Sequence, residues 1–263
     1  MVHRSLTIAA MLLLAVGVTH AHGQMTQHVV DIPTRPGVTQ RVLVLTPPVA
    51  KAVVILLAGG HGGLQINSSG AIQWGGNNFL VRSNALFVEQ GLQTILVDAP
   101  SDRQTPSYLS GFRQTGKHLA DIQAVIAWSR EQSGLPVWLM GTSRGTQSAA
   151  FVATESVGQN GPDGLVLSST VLTDNQERPV PDMPLDRLRI PVLVVHHELD
   201  GCRICAFSDM PRLIDKLGTP RRQLLSFTGG ENQGDPCKAA AYHGYNGIER
   251  EVAQRIAAWI LGP

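Results

Sequence analysis

The chain has 263 residues, carries 21 Lys and Arg against 20 Asp and Glu for a formal net charge of +1, and is 43% hydrophobic but only 5% aromatic. A balance so close to neutral, without a basic run or aromatics interleaved with one, excludes nucleic acid as the expected partner. Neither repeats nor low-complexity tracts occur and no linker divides the chain, so the length reads as a single α/β domain behind a leader.

That leader spans residues 1–21. Arg4 supplies the positive end, Leu6 to Val18 the apolar stretch, and Thr19-His20-Ala21 a small-x-small cleavage site. Cleavage after Gly23 fits nearly as well. An uncleaved anchor is the competing reading, although the stretch is short for a bilayer span. No later segment approaches one, so residues 22–263 are expected as the mature domain, secreted or periplasmic, with no membrane span. Loss of the leader removes Arg4 and no acid, leaving 20 basic and 20 acidic residues.

Short β-branched runs then alternate with segments of helical length, the pattern of a mostly parallel sheet covered on both faces. Val29 to Ile32 and Val42 to Leu45 read as an opening antiparallel pair, and Val53 to Leu57 as a buried strand that runs into Ala58-Gly59-Gly60-His61-Gly62-Gly63. The segment Phe79 to Gln90, closed by Gly91, predicts a helix, and Thr94 to Val97 a fourth strand. Lys117 to Arg130 sets Leu119, Ile122, Val125 and Ile126 on one helical face. Pro136 to Met140 is the fifth strand, followed by strands at Leu165 to Leu167, Val192 to Val195 and Gln223 to Phe227. Ile248, Val252, Ile256 and Ile260, four apart, mark the closing helix.

The most informative run is Trp138-Leu139-Met140-Gly141-Thr142-Ser143-Arg144-Gly145-Thr146-Gln147. It reads as a strand that stops at a Gly-x-Ser-x-Gly turn and restarts as a helix, which leaves a serine hydroxyl exposed above a sheet edge beside helical N–H groups. The spacing alone is common in a chain with 27 glycines, and an ordinary turn is the competing reading. The short apolar strand before it and the small, helix-compatible residues after it favour the nucleophile.

The order of these parts resembles the α/β-hydrolase superfamily, and within it the small secreted esterase-like members without a large lid. Only Val171 to Ile190 separate the sixth and seventh strands, where lids are commonly inserted. The resemblance covers essentially all of the mature chain and implies an eight-stranded, mostly parallel sheet with helices on both faces. It also implies a serine after the fifth strand, an acid after the seventh and a histidine after the eighth. Ser143 takes the first place. His243, in Tyr242-His243-Gly244-Tyr245, takes the last; His196 and His197 read as support for the neighbouring turn and His118 as structural. Asp200, beside Gly201 in the turn after the seventh strand, is the expected acid, with Glu198 and Asp174 as competitors. The chemistry requires this set: a serine hydroxyl is a weak nucleophile until a base takes its proton and a third group fixes the base's tautomer.

The oxyanion formed on attack needs prepositioned donors. The Arg144 N–H is one; the other is expected from the glycine loop, at His61 first and Gly60 second. A phosphate-binding reading of that loop is weak, since no Lys-Ser/Thr pair follows. Asp98, Asp102 and Arg103 follow the fourth strand and either line the cleft or form a solvated loop with an ion pair. Trp74 is either an aromatic wall or part of a flexible tip with Gly75-Gly76. The Arg144 side chain faces either an anionic substrate or a stiffening salt bridge.

Cys202 and Cys205 follow the acid, and Cys237 precedes the base by six residues. In an exported protein a Cys202–Cys237 disulfide is the first expectation, tying two catalytic loops together, with Cys205–Cys237 second and one thiol left over. A Cys-x-x-Cys redox pair and a zinc site using the three thiols with His196 or His197 are weaker readings. These residues lead to a serine hydrolase of carboxylic esters, small or polymeric, that needs no cofactor or metal. A peptidase or amidase on the same scaffold, and a non-catalytic or zinc-binding secreted protein, are the alternatives.

Overall fold

The computed structural model describes residues 24–156 and 158–262; the expected leader lies outside them. Eight strands form one sheet in the order β1-β2-β4-β3-β5-β6-β7-β8. They are β1 (Thr26–Arg35), β2 (Val38–Thr46), β3 (Ala52–Leu57), β4 (Leu92–Pro100), β5 (Val137–Thr142), β6 (Gly164–Ser168), β7 (Val192–His197) and β8 (Arg222–Phe227). Antiparallel pairing joins β1 to β2 and β2 to β4, and every later neighbour is parallel. The eight-stranded, mostly parallel sheet expected from the sequence is therefore present.

The side-chain period of two explains why the central strands carry continuous apolar runs. Val53, Ile55, Leu57, Leu139, Leu165 and Val194 face one core, packed with Ile122, Val125 and Ile126 of α3 (Gly116–Ser133) and Ala149, Ala150 and Val152 of α4 (Arg144–Glu155). Their neighbours Val54, Leu56, Met140, Val166 and Val195 face the other. There they meet Phe79 and Leu80 of α1 (Phe79–Arg82), Phe87 of α2 (Asn84–Glu89) and Val252, Ile256 and Ile260 of α6 (Glu249–Leu261). The remaining helix is the short α5 (Met210–Ile214). Among the described residues no helix is long and apolar enough to cross a membrane.

One expectation is corrected. The periodic stretch Phe79 to Gln90 is two helices, because Ser83 breaks the run at φ −95° and ψ 3°, ending α1 and opening α2. Elsewhere the ends are set by local chemistry: Thr115 caps α3 by accepting the His118 N–H, and Gly134 closes it in the left-handed region at φ 66°.

The strand order reverses beside β3. From β3 the chain moves to β4 on one side and then to β5 on the other, and such a switch point opens a crevice at the carboxyl ends of the two strands. The glycine loop leaves β3 there, and Ser143 leaves β5.

Candidate active site

Ser143 sits between β5 and α4 at φ 51° and ψ −129°, a conformation that L-residues rarely adopt and that tight packing must enforce. The packing is backbone on backbone. A Cβ on Gly141 would stand 2.3 Å from the Gly145 carbonyl oxygen, and one on Gly145 2.0 Å from that of Leu57, so both motif glycines are required by contact. Hydrogen bonds lock the turn: the Ser143 N–H donates to Ser168 O (3.0 Å), and Thr146 donates to Ser143 O through its N–H (2.8 Å) and its hydroxyl (2.6 Å).

His243 lies in a turn of 3-10 helix after β8, with only 5% of its surface exposed. Its Nδ1 is 2.8 Å from Asp200 Oδ2. Facing an acceptor, Nδ1 carries the hydrogen, which leaves the lone pair on Nε2; that atom is buried and has no partner among the described residues. Asp200 follows β7 and also accepts from the Cys202 N–H at 2.9 Å. Burial by itself would raise the Asp200 pKa, but hydrogen bonding from His196 and His243 outweighs it and holds the carboxyl at about 2. His196 shares its Nε2 between Cys205 O at 2.7 Å and Asp200 Oδ2 at 3.4 Å, so the carbonyl receives the better bond and Asp200 the weaker one.

The turn carrying His243 is heavily braced. The Tyr245 hydroxyl donates to Val195 O (2.9 Å) and accepts from the Ser169 N–H (3.2 Å) and the Ser168 hydroxyl (3.2 Å), while Ser169 Oγ donates to His243 O (2.8 Å). Burial pushes the Tyr245 pKa up, so the group stays neutral and able to donate. His197 stacks on Tyr242 with ring centroids 4.3 Å apart. Cys202 and Cys237 form a disulfide that joins the turn of Asp200 to the segment before His243, and Cys205 is free and buried. With two of the three sulfurs in that bond, the set of three thiolates required by the zinc reading is not available.

The glycine loop after β3 is held from two sides. The buried carboxylate of Asp98, at the end of β4, accepts from the N–H groups of Leu64 (2.7 Å), Gln65 (3.2 Å) and Ile66 (2.9 Å), as well as from Ala99 (2.7 Å). Arg113, only 1% exposed, donates to Ala58 O (3.3 Å), Gly60 O (3.0 Å) and Ser148 Oγ (3.0 Å). Burial lowers its pKa to about 10, so it stays charged at neutral pH. Since a trans peptide sets its N–H opposite its C=O, gripping the Gly60 carbonyl turns the His61 N–H away from the guanidinium. The backbone N–H groups of Gly60, His61 and Arg144 have no acceptor among the described residues. The His61 ring stacks on Tyr108 at 4.5 Å and accepts from the Gly63 N–H at 3.1 Å; burial, then Arg113, lowers its pKa.

A cleft of about 50 Å³ is lined by Gly60, Asn78, Phe79, Thr142, Ser143, Cys237, Ala239, His243 and Gly244. The residues assigned to nucleophile and base thus meet at one opening. The competing acids are used elsewhere. Asp174 binds the Arg144 side chain at 2.7 Å, the stiffening salt bridge rather than an anion site, and Glu198 accepts from Ser226 Oγ at 2.7 Å. His118 is fully buried, and burial takes its pKa down to about 3, as suits a structural residue. Asp102 pairs with Arg35, while Trp74 is 55% exposed and donates to Gln65 Oε1. Asn78, Arg113, Ser169 and Tyr245 are brought to the site by the fold and carry no local sequence signal. The buried Asp98 belongs to the loop's support and not to a solvated turn.

No family model and no curated protein matches the sequence. Solved structures do. The dienelactone hydrolase of Anabaena variabilis superposes with a TM-score of 0.65 at 14% identity, covering 91% of this chain and 98% of that one. An esterase of Pyrococcus furiosus gives 0.64 at 11%, covering 90% and 94%. An α/β serine hydrolase without a lid from Xanthomonas campestris gives 0.57 at 18%, covering 89% and 95%. At these identities the likeness concerns the fold, and the chain has the α/β-hydrolase fold.

Proposed function

We propose that this protein is an exported serine hydrolase acting on carboxylic esters. The observation that carries the reading is a single cleft lined by Ser143 and by His243, whose Nδ1 is bound to Asp200 and whose Nε2 is left unspent. In this reading Ser143 Oγ attacks the ester carbonyl as His243 Nε2 takes its proton. The Arg144 N–H and the His61 or Gly60 N–H bind the oxyanion. His243 then gives the proton to the departing alcohol, leaving an acyl-enzyme that water attacks by the same route. Asp200, ionised at every pH above about 2, keeps the imidazole in the required tautomer and stabilises its charged form.

Among the described residues, His243 Nε2 has no hydrogen bond to Ser143 Oγ. Catalytic hydrogen bonds of this kind often tighten only when substrate is bound. A cleft of about 50 Å³ holds a few waters, which favours short acyl groups with the alcohol portion outside, whether that portion is small or polymeric. The segment between β6 and β7 supports an open mouth, since Leu172, Val180, Met183, Leu185 and Leu188 are buried in the core and not arched over the site. The Cys202–Cys237 bridge fits an oxidising compartment.

The test is hydrolysis of p-nitrophenyl esters of graded acyl length, with matched anilides, by the wild type and Ser143→Ala. A fluorophosphonate probe should label the wild type alone. Wild-type ester turnover that vanishes in a folded Ser143→Ala variant is expected, and undiminished turnover rejects the reading. Faster cleavage of anilides than esters would replace esterase with amidase.

A further inference from the structure

Asn78 has no part in the scheme above, yet it borders the same cleft as Ser143 and His243. Its amide is oriented by its own backbone: Oδ1 accepts the Leu80 N–H at 3.1 Å and caps α1. An amide with its oxygen so engaged presents its NH₂ elsewhere. Nδ2 has no acceptor among the described residues, and it lies 3.3 Å from the point where a Gly59 Cβ would stand; Ser143 Cβ lies 2.9 Å from that same point. The amide and the nucleophile thus crowd one backbone carbon, which has to be glycine for both to fit. Asn78 is also fastened to the base's turn. Arg82, at the other end of α1, donates to Gly244 O at 2.6 Å and Ala239 O at 3.1 Å, and pairs with Glu249 at 2.9 Å.

Building on the proposed esterase reading, we propose that Asn78 is a further catalytic residue, whose Nδ2 donates a hydrogen bond to the substrate's carbonyl oxygen as it becomes an oxyanion. It would add a side-chain donor to the two backbone donors. The balance of the step is unchanged: Ser143 Oγ bonds to the carbonyl carbon, the C=O π pair moves onto oxygen, the serine proton passes to His243, and Asn78 shares a hydrogen without losing it. A fixed donor of this kind, aimed at a charge that appears only in the transition state, acts on kcat more than on KM.

The two functions of the amide can be separated, because Asp and Ser cap helices about as well as Asn but put no N–H in the cleft. Asn78→Asp and Asn78→Ser should therefore keep the wild-type Tm and a KM for p-nitrophenyl acetate within a few-fold, while kcat falls about 10²- to 10³-fold. A boronic acid that forms a tetrahedral adduct with the serine should bind more weakly to both by a comparable factor. Either variant holding kcat within about threefold of wild type overturns the proposal, as does a kcat loss in Asn78→Asp that tracks a fall in Tm and is recovered in Asn78→Ser. If the wild type neither hydrolyses esters nor reacts with the fluorophosphonate probe, the esterase reading itself has failed. If both wild-type tests succeed, the Asn78 result stands alone.

Discussion

The two flanks of the cleft are held by different means. On the acid and base flank, orientation comes from a disulfide, the Tyr245 hydroxyl, a ring stack and, from outside the turn, the partly exposed Arg82–Glu249 pair. On the donor flank it comes from two buried charges that grip main chain: Asp98 collecting four N–H groups and Arg113 two carbonyls. The contrast suits the roles proposed for the two flanks. A charge placed among His243, Asp200 and the reacting proton would disturb the proton transfer, whereas the glycine loop only has to present N–H groups that do not move.

Breaking the acid and base flank at its chemistry should have the largest effect. Asp200→Asn keeps the shape but removes the carboxylate that fixes the imidazole tautomer, and kcat should fall about 10⁴-fold with the fold retained in circular dichroism. Breaking the same flank at its brace should separate stability from rate. From the 35-residue separation of Cys202 and Cys237, Cys237→Ser should be less stable by about 4 kcal/mol in urea unfolding, while kcat should drop less than about tenfold because the His243–Asp200 bond and the Tyr245 contacts still brace the turn.

The donor flank should answer with both losses together. Arg113→Met strands two carbonyls and frees the loop, so kcat should fall about 10²-fold along with about 2 kcal/mol of stability. Equal responses of Cys237→Ser and Arg113→Met would erase the contrast. The smallest effect is on acid stability. Asp200 titrates at about 2 in the folded protein against 3.8 for the free carboxyl, so its contribution, about 2 kcal/mol, is complete above roughly pH 4 and is lost as the pH falls through 2. Wild-type urea midpoints should decline over that window more steeply than those of Asp200→Asn.

The fold is most legible in the sequence where chemistry is local. Alternating apolar runs separated by helical stretches announce the sheet, and a serine between two glycines announces a tight turn after β5. The Cys202–Cys237 pairing was legible because two loops already assigned to one edge each carried a cysteine. What stays hidden depends on contacts across the chain. Arg113 reaches Gly60 over 53 positions and Asp98 reaches Ile66 over 32, and neither belongs to a motif. Asn78 borders the cleft only because α1 folds back over the end of β3. The break at Ser83 is hidden for another reason: both short helices bury the same face, so the apolar period continues through the interruption.

The close approach of Gly141, Gly145 and Leu57 bears on how such a protein can be altered. The ground beneath Ser143 is main chain against main chain, which exchanges of side chains leave in place. If the proposed activity holds, laboratory selection for bulkier esters will accordingly gather its changes along the upper rim, at positions such as Ala239, and leave the elbow as it is.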